Sequence, residues 1–258
     1  MTWQTLLAAP ARGQHIAQLY AEPGFFERAV GMFAGEGFRR GEAVIIIATP
    51  SHGRAVERRL EDQGFDLDGL KRQGQLTALD AASCLAALLV DGMPDRQRFH
   101  AVIGGAFDAA ERAGYETVRA FGEMVDLLSR INLTATIRLE ELWNELLAAR
   151  RMSLLCGYSV DIFDLHAYHG IVQGVCEVHS DLIPVENIAG FEQAVQRAYG
   201  DVFGVAGDPD SLRRAFLAEY VRPVVMPDAE AAILAVREFL PTTTAELLER
   251  TRHYYHAA

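Results

Sequence analysis

Residues 14–50 read Gln14-His-Ile-Ala-Gln-Leu-Tyr20, Ala-Glu-Pro-Gly24, Phe25-Phe-Glu-Arg-Ala-Val30-Gly-Met-Phe33-Ala-Gly-Glu-Gly-Phe38-Arg-Arg40, then Gly41-Glu-Ala-Val44-Ile-Ile-Ile-Ala48-Thr49-Pro50. The run 44–48 is apolar at every position, and all but Ala48 are β-branched. A strand with one wet face would alternate, so this one is predicted to be covered on both sides. Ahead of it, Phe26, Val30, Phe33 and Phe38 recur at helical spacing, and Gly41 stops the helix. Strand, glycine turn, helix and buried strand make the opening unit of a parallel α/β sheet. Such sheets bind ligands beyond the carboxyl ends of their strands, which here means residues 20–26 and 49–52.

The chain's totals restrict what surrounds this unit. With 258 residues, it can bury the core of one large domain or of a domain plus an appendage. A net charge of −11 argues against the basic face that a phosphate backbone demands, so no direct nucleic-acid contact is expected. No apolar run approaches the roughly 18 residues of a membrane span, and residues 1–10 lack the features of a signal peptide. Cys84, Cys156 and Cys176 all fall inside predicted elements, which implies buried, reduced thiols and a cytoplasmic location.

Strands and helices alternate as far as about Pro184. Helix is expected over 51–63, strand over 76–79, helix over 83–90, a turn at 91–94 and a helix carrying Phe99, Val102, Ile103 and Phe107. A strand over 118–125, an amphipathic helix over 134–150, a buried strand over 152–160 and a helix over 165–179 follow. Beyond that the pattern is helix after helix, at 188–203, 211–221, 228–240 and 244–255, with Thr243 and Glu246 spaced as a capping box for the last. The expected architecture is a three-layer α/β core over 1–184, with a mostly parallel sheet of five or more strands. A small all-helical C-terminal region fills 185–258.

In a nucleotide-binding α/β protein the first loop would read G-x-x-x-x-G-K-[ST], with backbone amides and a lysine cradling phosphates. Here it reads Ala21-Glu-Pro-Gly24-Phe25-Phe26-Glu27-Arg28, and the chain's one lysine, Lys71, is remote in sequence. Two aromatic rings and a carboxylate oppose an anion seat, although an arginine such as Arg28 retains the capacity to contact phosphate.

Several stretches, in order, carry a resemblance: His15 to Tyr20, Glu36 to Thr49 and Ala55 to Leu67, then Val90-Asp-Gly-Met-Pro94 with Phe99. They continue with Gly122-Glu-Met-Val-Asp126, Leu139-Glu-Glu-Leu-Trp143-Asn144, Ser153-Leu-Leu-Cys156 with Tyr158, and Cys176 to His179. Together these resemble the KaiC branch of RecA-like ATPases and, more closely, the MEDS sensory domain named for methanogens, methylotrophs and DcmR-type regulators. The resemblance implies a RecA/KaiC-like fold without its phosphate loop. It also implies binding of small organic ligands such as hydrocarbon derivatives, and a signal passed to an output module. The family's helix-turn-helix and kinase outputs have no counterpart here, since a helical tail takes their place.

Residue by residue, each feature has a functional and a structural reading. Tyr20, Phe25 and Phe26 either line an apolar pocket or start a core helix. Glu123 and Asp126, at a strand end, could perform acid/base work, yet Glu123 with Arg138 and Glu141 fits a structural ion pair better. His166, His169, Cys176 and His179 have metal-ligand side chains, but the two halves of that set lie two to three helical turns apart, so no metal site is expected. Ser51-His52 belongs to no G-x-S-x-G elbow. The reading that gathers most of these observations is a non-enzymatic sensor without a cofactor. A small organic molecule would bind near Tyr20, Phe25, Phe26, Thr49, His52, Glu123 and Tyr158. The signal would leave through a protein partner docked on the C-terminal helices or through a homodimer interface. A nucleotide switch working through Arg28, and a scaffold that docks partners along 188–255, are the alternatives.

Overall fold

The computed structural model describes residues 2–169, 171–204 and 208–257, without the side chains of residues 168, 169, 171 and 173. Its strands are β1 (His15–Tyr20), β2 (Ala43–Ala48), β3 (Leu76–Asp80), β4 (Leu89–Val90), β5 (Met93–Pro94), β6 (Val118–Gly122), β7 (Met152–Ser159) and β8 (Asp181–Ile183). Six of them form one parallel sheet in the order β3-β2-β6-β7-β1-β8, and β4 and β5 make a small hairpin. The hairpin turns at Asp91 and Gly92, both at positive φ, as a two-residue primed turn requires.

The absence of alternation in β2 has the physical cause that the sequence implied. Val44, Ile46 and Ala48 pack under helices Trp3–Ala8, Pro23–Arg39, Pro50–Asp62 and Leu67–Arg72 on one face. Ala43, Ile45 and Ile47 pack under helices Ala81–Leu88, Gly105–Arg112, Leu133–Ala149 and Ile171–Val178 on the other. Helix, sheet and helix make three layers, as expected. On the first face Arg119 is buried, donating to the carbonyls of Leu7, Ala8 and Phe33 and pairing with Glu42. The Arg119 side chain runs so close to Gly37 that a Cβ there would stand 2.9 Å from the Arg119 Cδ, so the helix needs glycine at this point.

Several boundaries differ from expectation. The strand predicted over 118–125 ends at Gly122, because Glu123 turns the chain into helix Met124–Ser129. The described residues of the segment 165–179 are helical over Leu165–His169 and Ile171–Val178, in line with the helix expected there. Thr243 does not cap the last helix with its side chain; a 3₁₀ turn, Pro241–Thr243, leads into it instead. The short helices near Trp3 and Leu67 and the three-residue β8 carry too little periodicity to be read from sequence.

Helices Ile188–Phe203, Pro209–Glu219, Asp228–Phe239 and Thr244–His256 follow β8. Their apolar faces, including Phe191, Val195, Ile233 and Leu247, continue the core that contains Tyr158 and Val172. The chain also returns to the sheet at Val225, which makes a single parallel bridge to Asp181 beside β8. No helix among the described residues is long and apolar enough to cross a membrane.

Candidate functional site

The carboxyl ends of β1, β2 and β6 converge on a group of polar and aromatic side chains. Thr49 follows β2 and stands at the N-cap position of helix Pro50–Asp62, which puts His52 in its first turn, above the sheet edge. Glu123 follows β6 directly, and its buried carboxylate accepts from the Thr49 N–H and, at 2.6 Å, from His52 Nδ1. The carboxylate thus satisfies an orphan donor at a helix N-terminus and fixes the imidazole. His52 lies over Phe26, with ring centroids 4.5 Å apart, and edge-on to Tyr20 at 6.2 Å. Tyr20, Phe26, Thr49, His52 and Glu123, chosen from sequence, therefore share one neighbourhood.

Tyr20 and Gln18 leave β1 on the same face. The Tyr20 hydroxyl and Gln18 Oε1 are buried and have no hydrogen-bond partner among the described residues. Burial, followed by the charges of Asp126 and Glu123, pushes the Tyr20 hydroxyl well above its ordinary pKa, so it stays a neutral donor. Asp126 is itself raised by burial, against the opposing effect of a Ser159 N–H donated at 2.9 Å and of Arg130 at 3.0 Å. Unmatched buried polar atoms are uncommon in folded chains.

A cavity of about 250 Å³ opens beside this group. Leu19, Tyr20 and Phe25 form one wall, Val160 and Ile162 after β7 the floor, Pro184 and Val185 after β8 another side, and Tyr255 and His256 of the last helix close it. The lining is apolar with a few polar tips, the usual makeup of a small-molecule site. The last helix is tied to the floor by Arg252, 2.5 Å from Asp161, and by Phe163, whose ring centroid lies 5.4 Å from that of Tyr255 at a tilt of 45°.

The loop that would cradle phosphates has another use in this fold. Arg28 pairs through two nitrogens with Glu186, at 2.6 Å for Nε, and its guanidinium lies against the Gly24 backbone. Phe25 and Phe26 are both buried beneath the start of helix Pro23–Arg39.

The remaining sequence candidates fall elsewhere. Tyr158 points from β7 to the opposite face of the sheet, where its hydroxyl donates to Glu140. The triad of Glu123, Arg138 and Glu141 does not assemble. Arg138 pairs with Glu141 at 2.8 Å on the outer side of helix Leu133–Ala149, whereas Glu123 is held at the sheet edge by Thr49 and His52. Helical periodicity turns Glu140, between them, inward. Of the His/Cys set, His166 is exposed and the His169 side chain lies outside the described residues. Cys176 is buried near Tyr220, and among the described side chains of the set only His179 reaches a cluster, with His15, Glu140 and Cys156. The strand parity shared by His15, Cys156 and Tyr158 was readable in the sequence, but nothing local announced Glu140 or His179 as their partners.

A family model for the MEDS domain, the methanogen/methylotroph DcmR sensory domain, matches residues 14–180. No curated protein matches the chain.

Proposed function

Because the chain belongs to the MEDS family of sensory domains, we propose that it binds a small organic molecule in the cavity at the carboxyl edge of β1, β7 and β8 and signals through its helical tail. The observation that carries this reading is the composition of the cavity wall: the sheet edge supplies Tyr20 and Phe25, and the last helix supplies Tyr255 and His256. A ligand held there touches both parts, so its binding energy depends on where the last helix lies, which is the condition for a population shift.

The cavity bounds the ligand. Engineered apolar cavities of about 150 Å³ hold benzene, so about 250 Å³ suits a single ring or short chain with one polar substituent. The carboxylates of Glu22, Asp161 and Glu186 and the His256 ring at the cavity wall offer that substituent a hydrogen bond. Acid/base catalysis finds little support, since Glu123 is committed to Thr49 and His52. Phosphate recognition would require Arg28 to abandon Glu186. Signal output is assigned to the helical region, where Val221, Val225, Phe239 and Leu240 present exposed apolar side chains to a partner protein or a second copy.

The test is a thermal-shift screen of small organic compounds on full-length protein that native mass spectrometry shows to be free of carried-over ligand. Saturable stabilisation is expected, and filling the cavity with Val185→Trp abolishes it while the fold is retained. A library without a saturable hit, or tight magnesium-dependent ATP binding, would overturn the reading.

A further inference from the structure

On the opposite face of the sheet, sealed from solvent, four side chains with metal-ligating atoms converge. They are His15 from β1, Glu140 from helix Leu133–Ala149, Cys156 from β7 and His179 just after helix Ile171–Val178. One ligand atom from each lies within 4.8 Å of every other. His15 Nε2 stands 3.2 Å from Glu140 Oε2 and 3.3 Å from Cys156 Sγ, the sulfur is 3.8 Å from Oε2, and His179 Nε2 is 3.5 Å from Glu140 Oε1. A tetrahedral zinc ion with bonds of about 2.0–2.3 Å sets its ligand atoms roughly 3.3–3.8 Å apart, so these separations are close to those of a coordination sphere.

The surrounding hydrogen bonds determine which way the lone pairs face. Asn144 Nδ2 donates to the Val178 carbonyl at 2.9 Å, which orients its Oδ1 toward His15 Nδ1, also 2.9 Å away. His15 therefore carries a proton on Nδ1 and turns a bare Nε2 toward Glu140 and Cys156. His179 Nδ1 donates to the Val175 carbonyl at 2.8 Å, so its Nε2 is bare as well, and that atom is buried with no hydrogen-bond partner among the described residues. The Tyr158 hydroxyl occupies Glu140 Oε1, leaving Oε2 as the inward lone-pair donor. The Cys156 thiol has one proton to give to His15 Nε2 or Glu140 Oε2, which leaves the His179 lone pair facing a carboxylate without a donor; a cation among the four would satisfy all of them. An imidazole that donates its far nitrogen to a carbonyl or amide is the usual support of a metal ligand.

We propose that His15, Glu140, Cys156 and His179 form a closed, four-coordinate site for a divalent transition metal of the zinc class. Mixed imidazole, thiolate and carboxylate donors select such ions over magnesium or calcium, and with all four positions filled by protein the site is structural. It joins β1, β7, the helix over them and the segment leading to β8, and so ties the two ends of residues 15–179 together. The proposal shares no residue with the organic-ligand cavity, which opens at the carboxyl edge of the sheet.

The experiment uses full-length wild-type protein. Metal content is measured as purified, and after chelator treatment the protein is titrated anaerobically with cobalt(II) as the probe. One zinc per chain as purified or one cobalt taken up is expected. The bound cobalt should show the intense visible bands of four-coordinate geometry, a near-ultraviolet thiolate-to-cobalt band and a Tm rise of about 5 °C or more. Cys156→Ser removes the thiolate band. Asn144→Ala, which touches no metal, weakens cobalt binding about ten-fold or more by freeing the His15 ring. His166→Gln, at an exposed histidine, changes nothing. Absence of stoichiometric metal before and after reconstitution, with no Tm rise, would overturn the proposal; so would bound cobalt lacking a thiolate band in the wild type. Neither result depends on a variant folding.

Discussion

Tyr20 and His15 belong to one six-residue strand, yet they look into opposite kinds of environment. Tyr20 opens onto a cavity at the edge of the sheet, where loops and the last helix come within reach of water. His15 faces inward on the other side, where Glu140, Cys156 and His179 are sealed in with it. Polar groups at an edge can trade partners with solvent or with a ligand, and a change there is felt chiefly in binding. In the sealed cluster each group depends on the others, and a change is felt chiefly in stability.

The largest test of that contrast is Glu140→Ala. Removing the carboxylate strands two imidazoles and the Tyr158 hydroxyl in a closed space, and a loss of about 3–5 kcal/mol in urea unfolding is expected. An effect under about 1 kcal/mol would mean that the cluster is not held by mutual dependence. Phe26→Ala comes next, at about 3 kcal/mol, because the ring is fully buried between Tyr20, His52 and Phe121 and acts as core despite its place near the cavity.

His52→Ala marks the edge regime. It removes one partner of Glu123, but the Thr49 N–H remains, so about 1 kcal/mol is expected, together with a change in ligand-induced Tm shift. Smallest in stability is Arg252→Ala. The ion pair to Asp161 is exposed, and exposed pairs contribute about 0–1 kcal/mol. Hydrogen exchange in residues 244–256 should nevertheless rise, and ligand should protect this helix less than in the wild type. Unchanged exchange would sever the cavity from the tail.

The edge site was partly legible because its signals are local. Residues that end a strand or start a helix lie near each other whenever strands run parallel, so Tyr20, Thr49 and Glu123 could be placed from topology alone. Even so, the ion pair of Glu123 with Arg138 misled, since nearness in sequence says little about which way a side chain leaves a helix end. The layered α/β core was legible in the unbroken apolar run of β2. The sealed cluster was not, because it depends on which helix lies over which strand. Parity put His15, Cys156 and Tyr158 on alternating positions, but the crossing of helix Leu133–Ala149 that delivers Glu140 is a tertiary event with no periodic trace. Residues 166 and 176 drew attention through composition, and composition does not report facing.

The bridge between Val225 and Asp181 bears on how copies of this chain could assemble. Sheets grow by recruiting strands at unpaired margins, and on the β8 side the protein has laid a piece of its own backbone across that margin. The opposite margin, β3, pairs only with β2 among the described residues. Polymerisation by strand recruitment is thereby restricted to a single side, so two molecules could join there as a closed pair, with the tail of each left free on the far flank.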